Sequence, residues 1–126
     1  MAGVTGLGGV FFRSRDVQAS KRWYQDVLGL GGEWGIALRW TEDGGEDPYS
    51  LLSPFKAETD YFAPSDQPFM INLRVDDLEA FLPELAAKGV EVLGTQFEDY
   101  GKFAWILDPD GIKIELWQQV GPAPAG

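Results

Sequence analysis

The chain has 126 residues, with 20 acidic and 10 basic side chains, no cysteine, no histidine and a formal net charge of −10 at pH 7. The missing cysteines exclude disulfides and thiolate chemistry, and the missing histidines exclude the commonest general base and the commonest transition-metal ligand. The acidic balance argues against nucleic acid, which binds clusters of lysine and arginine, and no apolar run is long enough to span a membrane, so we expect a single soluble, cytoplasmic domain over residues 1–126.

The first half of the chain reads as a strand, a helix and two further strands. Residues 7–13 form a short apolar run, and Asp16 follows as a helix N-cap. Residues at helical spacing continue up to Gly29, which ends the helix. They are Val17, Ser20, Trp23, Tyr24 and Val27. Residues 34–40 alternate and predict a strand, and residues 49–53 predict a shorter partner across an acidic loop.

A connector follows, at about residues 56–67. The surrounding stretch, residues 53–68, holds three prolines and has no sustained periodicity. Its aromatic residues predict that it packs against the body of the protein. They are Phe55, Tyr61 and Phe62.

The second half begins with another strand, at residues 69–75. Asp76 or Asp77 then caps an amphipathic helix, in which Pro83 predicts either a kink or a late start, because its ring clashes with a preceding carbonyl. Residues 90–97 alternate and predict the next strand.

A β-hairpin closes this half, at residues 103–117. The turn is Asp108-Pro109-Asp110-Gly111, in which proline presets the backbone and glycine is free to take positive φ. Successive side chains alternate across a strand, so the second arm has two different faces. One face carries Ile112, Ile114 and Leu116, and the other carries Lys113, Glu115 and Trp117.

The two halves match at a constant offset of 61 positions. Residues 16–19 align with residues 77–80, and residues 9–13 align with residues 70–74. This internal repeat predicts an α+β fold of two βαβββ modules that pack around a shared interior and are related by a pseudo-twofold axis. The expected units are module one at about residues 5–55, module two at about 68–118, and a tail at 119–126.

Three motifs carry a resemblance to a known family. The segments RDVQASKRWYQDVLGL, VDDLEAF and DPDGIKIELW are together similar to the vicinal oxygen chelate superfamily, over about residues 5–118. That superfamily includes glyoxalase I, bleomycin-resistance proteins, fosfomycin-modifying enzymes and extradiol dioxygenases. The resemblance implies a half-open barrel around a U-shaped cavity, a homodimer, and modules that pair either within one chain or between two. In catalytic members it implies a divalent metal with His, Glu or Gln ligands.

Carried over to this chain, the metal positions of the family are mostly vacant. The first-strand ligand falls on Gly9 and its repeat partner on Met70. The third position falls within residues 49–53, which contain neither His nor Glu, and only Glu115 keeps a suitable side chain. A single carboxylate is not a site for a divalent ion, so we expect no metal or other cofactor unless unorthodox ligands hold one.

Strand alternation predicts which residues line the cavity. If positions 9 and 70 face it, every second residue of those strands does so too, and the last hairpin adds its polar face. The predicted ligand-binding residues are Phe11, Arg13, Met70, Asn72, Arg74, Trp105, Glu115 and Trp117. Two alternatives to ligand binding remain for these residues. In the first, Arg74 and Glu115 form an internal ion pair, and in the second, Trp105 and Trp117 belong to the core. Trp34 and Trp40 share one face, which lines the cavity or a subunit interface.

Three classes of function remain open. The favoured hypothesis is a protein that binds a small organic ligand, cationic or aromatic, in an aromatic cavity without a metal. The second is an enzyme, either a metal-dependent lyase, dioxygenase or transferase with atypical ligands or a metal-free enzyme with Glu115 as catalytic base. The third is a non-catalytic interaction scaffold.

Overall fold

The computed structural model describes residues 2–28, 31–32, 35–39, 48–109 and 111–122. The elements in chain order are β1 (Val4–Ser14), α1 (Val17–Leu28), β2 (Ile36–Arg39), β3 (Tyr49–Lys56), β4 (Phe69–Val75), α2 (Leu78–Ala87), β5 (Gly94–Glu98), β6 (Gly101–Leu107) and β7 (Lys113–Gln119). These seven strands form one open sheet in the order β2-β3-β1-β4-β7-β6-β5. The predicted α+β architecture is confirmed.

The internal repeat is visible at the centre of the sheet. Strands β1 and β4 are antiparallel neighbours, and Val10 pairs with Ile71, which lies 61 positions later and is its counterpart in the repeat. Strand β3 lies parallel to β1 on one side, and β7 lies parallel to β4 on the other. This arrangement is what a pseudo-twofold axis through the Val10–Ile71 pair requires.

The first module departs from the prediction in its strands. Two strands, β2 and β3, follow α1 in the described residues, rather than the three that the repeat predicts. Trp34, Trp40 and the acidic loop at 41–47 lie outside the described residues, as do Gly29, Leu30, Glu33, Asp110 and the tail from 123 onward. Strand β3 also continues to Lys56, three residues beyond its predicted end.

The second module differs from the prediction at one strand end. Strand β5 begins at Gly94 rather than at position 90. The preceding residues Val90 and Val92 instead pack against the core below α2. Their alternation therefore reflects burial on one side and not pairing in the sheet.

Both helices cover the same face of the sheet, which we call the outer face. Leu78 and Leu85 of α2 pack there with Leu116 of β7. Phe12 of β1 reaches Tyr24 of α1, with the two ring centroids 6.2 Å apart. The opposite, inner face is therefore left for the connector and for any ligand. None of the described helices has the length and apolar character needed to cross a membrane.

Both helices have the N-caps that the sequence predicts. The carboxylate of Asp16 accepts a hydrogen bond from the backbone N–H of Ala19 at 3.0 Å, and that of Asp77 accepts one from Ala80 at 3.1 Å. Helix α2 begins directly after Asp77 and includes Pro83, so the predicted late start is wrong.

The apolar spacing of α1 predicts more burial than the structure shows. Trp23 and Val27 are 52% and 58% exposed. Helical spacing therefore marks a helix here without marking a fully buried face.

Candidate functional site

Four positions form a row across the inner face of the central strands. Gly9 of β1 pairs with Leu51 of β3 on one side and with Asn72 of β4 on the other, and Asn72 pairs with Glu115 of β7. A methyl group at position 9 would lie 2.0 Å from the carbonyl oxygen of Leu51. The first metal position of the family therefore has no room for a side chain.

The predicted hairpin places Glu115 in this row. Leu107 of β6 pairs with Lys113 of β7, and Trp105 pairs with Glu115. The turn is closed by the N–H of Gly111, which donates to the carbonyl of Asp108 at 3.0 Å, and Gly111 takes a φ of +82°. The hairpin is confirmed, and its register fixes which side chains of β7 face inward.

Glu115 is buried and held by three side chains. Its exposed fraction is 2%. Oε2 accepts hydrogen bonds from Trp105 Nε1 at 2.8 Å and from the Tyr61 hydroxyl, and Oε1 lies 2.6 Å from Asn72 Nδ2. Burial raises the pKa of Glu115, an effect that the hydrogen bonds and the charge of Lys113 partly offset.

Lys113 lies on the same face, beside two aromatic rings. Its Nζ donates to the carbonyl of Tyr61 at 2.5 Å and lies 5.2 Å and 5.6 Å from the ring centroids of Tyr61 and Trp105. Burial lowers the pKa of Lys113, against the opposing charges of Glu115 and Asp60. Burial and the neighbouring Glu115 raise the pKa of the Tyr61 hydroxyl, which therefore stays a proton donor.

A cavity of about 430 Å³ opens beside this cluster. Its walls are mostly aromatic or apolar, and its polar side groups come from β4 and β7. The lining residues are Tyr49, Leu51, Asn72, Tyr100, Phe103, Glu115, Trp117 and Pro122. Tyr49 and Trp117 meet edge to face, with ring centroids 5.0 Å apart. A ligand in this space would contact aromatic and aliphatic side chains and a small polar floor.

The predicted site residues divide between two regions of the inner face. Asn72, Glu115 and Trp117 line the cavity. Phe11 and Met70 do not, because they are buried with Phe62 of the connector in an aromatic cluster. The predicted cavity floor of Phe11, Met70 and Trp117 is thus wrong for its first two members.

Trp105 connects the two regions. Its ring packs against the aromatic cluster, while its indole N–H bonds Glu115 at the edge of the cavity. The prediction that the connector packs against the body is confirmed, since Phe62 has no exposed surface.

The two predicted arginines hold loops and strand ends in place. Arg13 donates to the carbonyls of Ala57 and Thr59 in the connector, at 2.9 Å and 2.8 Å. Arg74 donates to the carbonyl of Tyr49 at 3.0 Å and lies over the ring of Trp117, with its Cζ 5.0 Å from the ring centroid. The alternative of an Arg74–Glu115 ion pair is wrong, since within the described chain Glu115 is held by the three side chains named above.

Several lining residues were not predicted from the sequence. Phe103 shares a face with Trp105 on β6, so strand alternation would have found it. Tyr49 lies two positions before Leu51 on β3 and would also have followed from alternation. Tyr100, which lines the cavity, and Tyr61, which bonds Glu115 beside it, lie outside the strands, where no periodicity indicates the direction of a side chain.

The residues present do not fit the divalent metal of the family. Position 9 has no space for a ligand, Met70 is fully buried, and Leu51 occupies the inner face of β3. Both oxygens of Glu115 already have protein partners. Among the described residues, no three His, Cys, Asp or Glu side chains come together in a group that could hold a metal ion.

Comparisons with known proteins agree with this fold. A family model described as the Glyoxalase/Bleomycin resistance protein/Dioxygenase superfamily matches residues 6–116. The protein named "Putative glyoxylase CFP32", in Mycobacterium bovis and in Mycobacterium tuberculosis, is 27% identical over 120 residues. That match covers 86% of this chain and 44% of the relative, so the chain spans less than half the length of these curated relatives.

Similar solved structures include two kinds of enzyme. A Streptomyces coelicolor methylmalonyl-CoA epimerase variant in complex with 2-nitronate-propionyl-CoA has a TM-score of 0.69 at 17% identity, over 93% of this chain and 99% of that one. The Mn(II)-bound glyoxalase from Novosphingobium aromaticivorans has a TM-score of 0.58 at 18% identity, over 100% of this chain and 44% of that one. At these identities the likeness concerns the fold.

Proposed function

The chain belongs to the Glyoxalase/Bleomycin resistance protein/Dioxygenase superfamily, and from this premise we propose that it binds a small aromatic molecule in its inner-face cavity without a divalent metal. The observation that carries the proposal is the cavity itself, which combines aromatic walls with a buried carboxyl group. Small-molecule sites usually have this composition, and volumes from about 300 to 1,000 Å³ are typical of them.

The composition of the walls supports an aromatic ligand. The rings of Tyr49 and Trp117, which meet edge to face, and the ring of Phe103 all belong to the lining. Stacked or edge-to-face contacts with such rings stabilise an aromatic ligand beyond simple burial of apolar area. The polar floor of Asn72 and Glu115 would fix its orientation.

The metal-free part of the proposal is supported by the donor set. The chain contains no histidine or cysteine at all. Glu115 is the one suitable side chain at a family metal position, and its oxygens are bonded by Tyr61, Trp105 and Asn72. A metal would have to displace these partners and find at least two further ligands.

A thermal-shift screen tests ligand binding. A ligand that binds only the folded state raises the Tm, so a panel of neutral, cationic and anionic aromatic compounds should contain stabilising members. Leu51→Trp, which fills the cavity, should remove the shift. Leu93→Trp, at a residue that does not line the cavity, is the matched control and should retain it. A shift that survives Leu51→Trp would place the ligand elsewhere.

Elemental analysis tests the absence of a metal. The purified protein should contain no stoichiometric divalent ion, and treatment with a chelator should leave its Tm and its ligand response unchanged. A stoichiometric ion that is present in the wild type and absent from the Glu115→Ala variant would contradict the proposal.

A second candidate is an enzyme that uses Glu115 to transfer protons. The observation that favours it is the raised pKa of a buried carboxyl group at the cavity, a combination common among catalytic acids and bases. Any ligand found by the screen can be incubated with the protein in D₂O while NMR follows exchange of its carbon-bound hydrogens. Exchange that is lost in Glu115→Gln, with binding retained, would support catalysis.

A further inference from the structure

The amide of Asn72 leaves one buried atom without a partner. Asn72 is 1% exposed. Its Nδ2 faces Glu115 Oε1, and its Oδ1 is buried with no hydrogen-bond donor among the residues that the structure describes. A buried acceptor without a donor is costly, and native proteins contain few of them.

The unpaired oxygen of Asn72 indicates another hydrogen-bond assignment. Asn72 Nδ2 and Glu115 Oε1 lie 2.6 Å apart, within hydrogen-bond distance whichever of the two amide atoms faces the carboxyl group. The oxygen and nitrogen of a carboxamide are nearly identical in size, so the amide can turn by 180° in the same space. In that orientation Oδ1 accepts a proton carried by Glu115 Oε1.

The remaining contacts of Glu115 are compatible with a neutral carboxylic acid. Oε2 accepts from two donors, Tyr61 and Trp105, as either a carbonyl or a carboxylate oxygen can. These hydrogen bonds and the charge of Lys113 favour the ionised form, but Lys113 directs its Nζ to the carbonyl of Tyr61 rather than to the carboxyl group. Arg74 donates to Tyr49 and Gln119. Burial is the larger effect, and it disfavours the charged form.

We propose that Glu115 rests in the cavity as an uncharged carboxylic acid that donates its proton to Asn72, so that the cavity takes uncharged aromatic ligands in preference to cations. The ligand part of this inference rests on the proposed function. A cation at the floor would lose its hydration without gaining a counter-charge from Glu115, and Lys113 adds positive charge nearby.

Infrared spectroscopy tests the acid without any ligand. The difference spectrum of wild type minus Glu115→Gln at neutral pH should contain a carboxylic-acid C=O band. Glutamine has the shape of the neutral acid, and its NH₂ group can donate to Asn72 Oδ1, so this variant should retain the fold. A difference spectrum with only carboxylate bands would overturn the assignment.

A second variant keeps the acid and removes its acceptor. In Asn72→Leu the C=O band of Glu115 should shift to higher frequency, because the acid loses its hydrogen bond to the amide. An unchanged band would show that Asn72 does not accept the proton. This readout does not depend on the behaviour of Glu115→Gln.

A matched pair of probes tests the ligand class. Benzamide and the benzamidinium ion have nearly the same flat shape and differ in charge. Benzamide should raise the Tm of the wild type, and benzamidinium should leave it unchanged. A benzamidinium shift that is lost in Glu115→Gln would overturn the inference. A response to neither probe would contradict the ligand part alone, since the infrared band reports on the acid separately.

Discussion

The two modules use the same backbone to build different halves of the inner face. In the second module, Asn72 pairs with Glu115 and the two side chains line a cavity. The corresponding pair in the first module is Phe11 with Ser53, and Phe11 is covered by Phe62 of the connector. The repeat thus preserves strand pairing while one half is filled with aromatic side chains and the other stays open. Polar groups for a ligand come from the second module.

The largest expected effect is the removal of the aromatic filling. Phe62→Ala should lower the free energy of unfolding by about 3–5 kcal/mol, because a fully buried ring leaves a cavity between Phe11 and Met70. Urea unfolding measures this loss. Phe97→Ala, at a residue that is 50% exposed, is the control and should cost far less. Equal losses would show that Phe62 is not a core residue.

The close approach of β1 and β3 can be tested with a single methyl group. Gly9→Ala should destabilise the protein by about 1–3 kcal/mol, since the added carbon would lie 2.0 Å from the Leu51 carbonyl oxygen and the strands must move apart. Gly3→Ala is the matched control, because no atom lies within 4 Å of the added carbon there. If urea unfolding shows that Gly9→Ala leaves the free energy of unfolding unchanged, the close spacing of β1 and β3 is contradicted.

The buried acid predicts a pH dependence of stability. The pKa of Glu115 is raised by folding, so the folded state binds more protons than the unfolded state above the unfolded pKa. Stability should therefore fall as the pH rises from the unfolded towards the folded pKa, by about 1.4 kcal/mol for each unit of difference. Glu115→Gln should lack this fall and become the more stable protein at higher pH.

Comparison of the two proteins isolates this effect. Lys113, whose pKa is lowered, contributes with the opposite sign at alkaline pH, and its pKa depends on the charge of Glu115, so the two proteins are compared below the pH range in which Lys113 titrates. Denaturant unfolding at a series of pH values supplies the two curves. Parallel curves would contradict a raised pKa for Glu115.

The hydroxyl of Tyr61 should have the smallest effect. Tyr61→Phe removes one donor to Glu115 Oε2 while Trp105 Nε1 continues to donate, so we expect a loss of about 1 kcal/mol. The total tryptophan fluorescence, to which Trp105 contributes, should also change, because the Trp105 indole bonds the same oxygen. Tyr100→Phe, at a 63% exposed residue, should leave stability within about 0.5 kcal/mol of wild type.

The fold was predictable because its signals are local. The turn at Asp108 to Gly111, the caps at Asp16 and Asp77 and the repeat at 61 positions each depend on residues near one another in sequence or on a direct comparison of the two halves. Val90 and Val92 alternate as strand residues do, but they pack against the core without pairing in the sheet. The predicted start of β5 was therefore four residues too early.

The site was predictable only in part. Strand alternation correctly predicted that the side chains of Asn72, Glu115 and Trp117 face inward. It could not show that Phe62 would cover Phe11 and Met70, or that the Tyr61 hydroxyl would reach Glu115, because the path of an irregular connector is set by tertiary contacts rather than by periodicity.

The tight spacing at Gly9 also bears on the history of this fold. A metal ligand at the first family position would need an imidazole or carboxylate where the neighbouring strand leaves no volume, so a first mutation towards it would be damaging before any later one became useful. Under the proposed metal-free function, such a site would be hard to rebuild, and selection acting on this chain would be directed towards whatever the remaining hollow can hold.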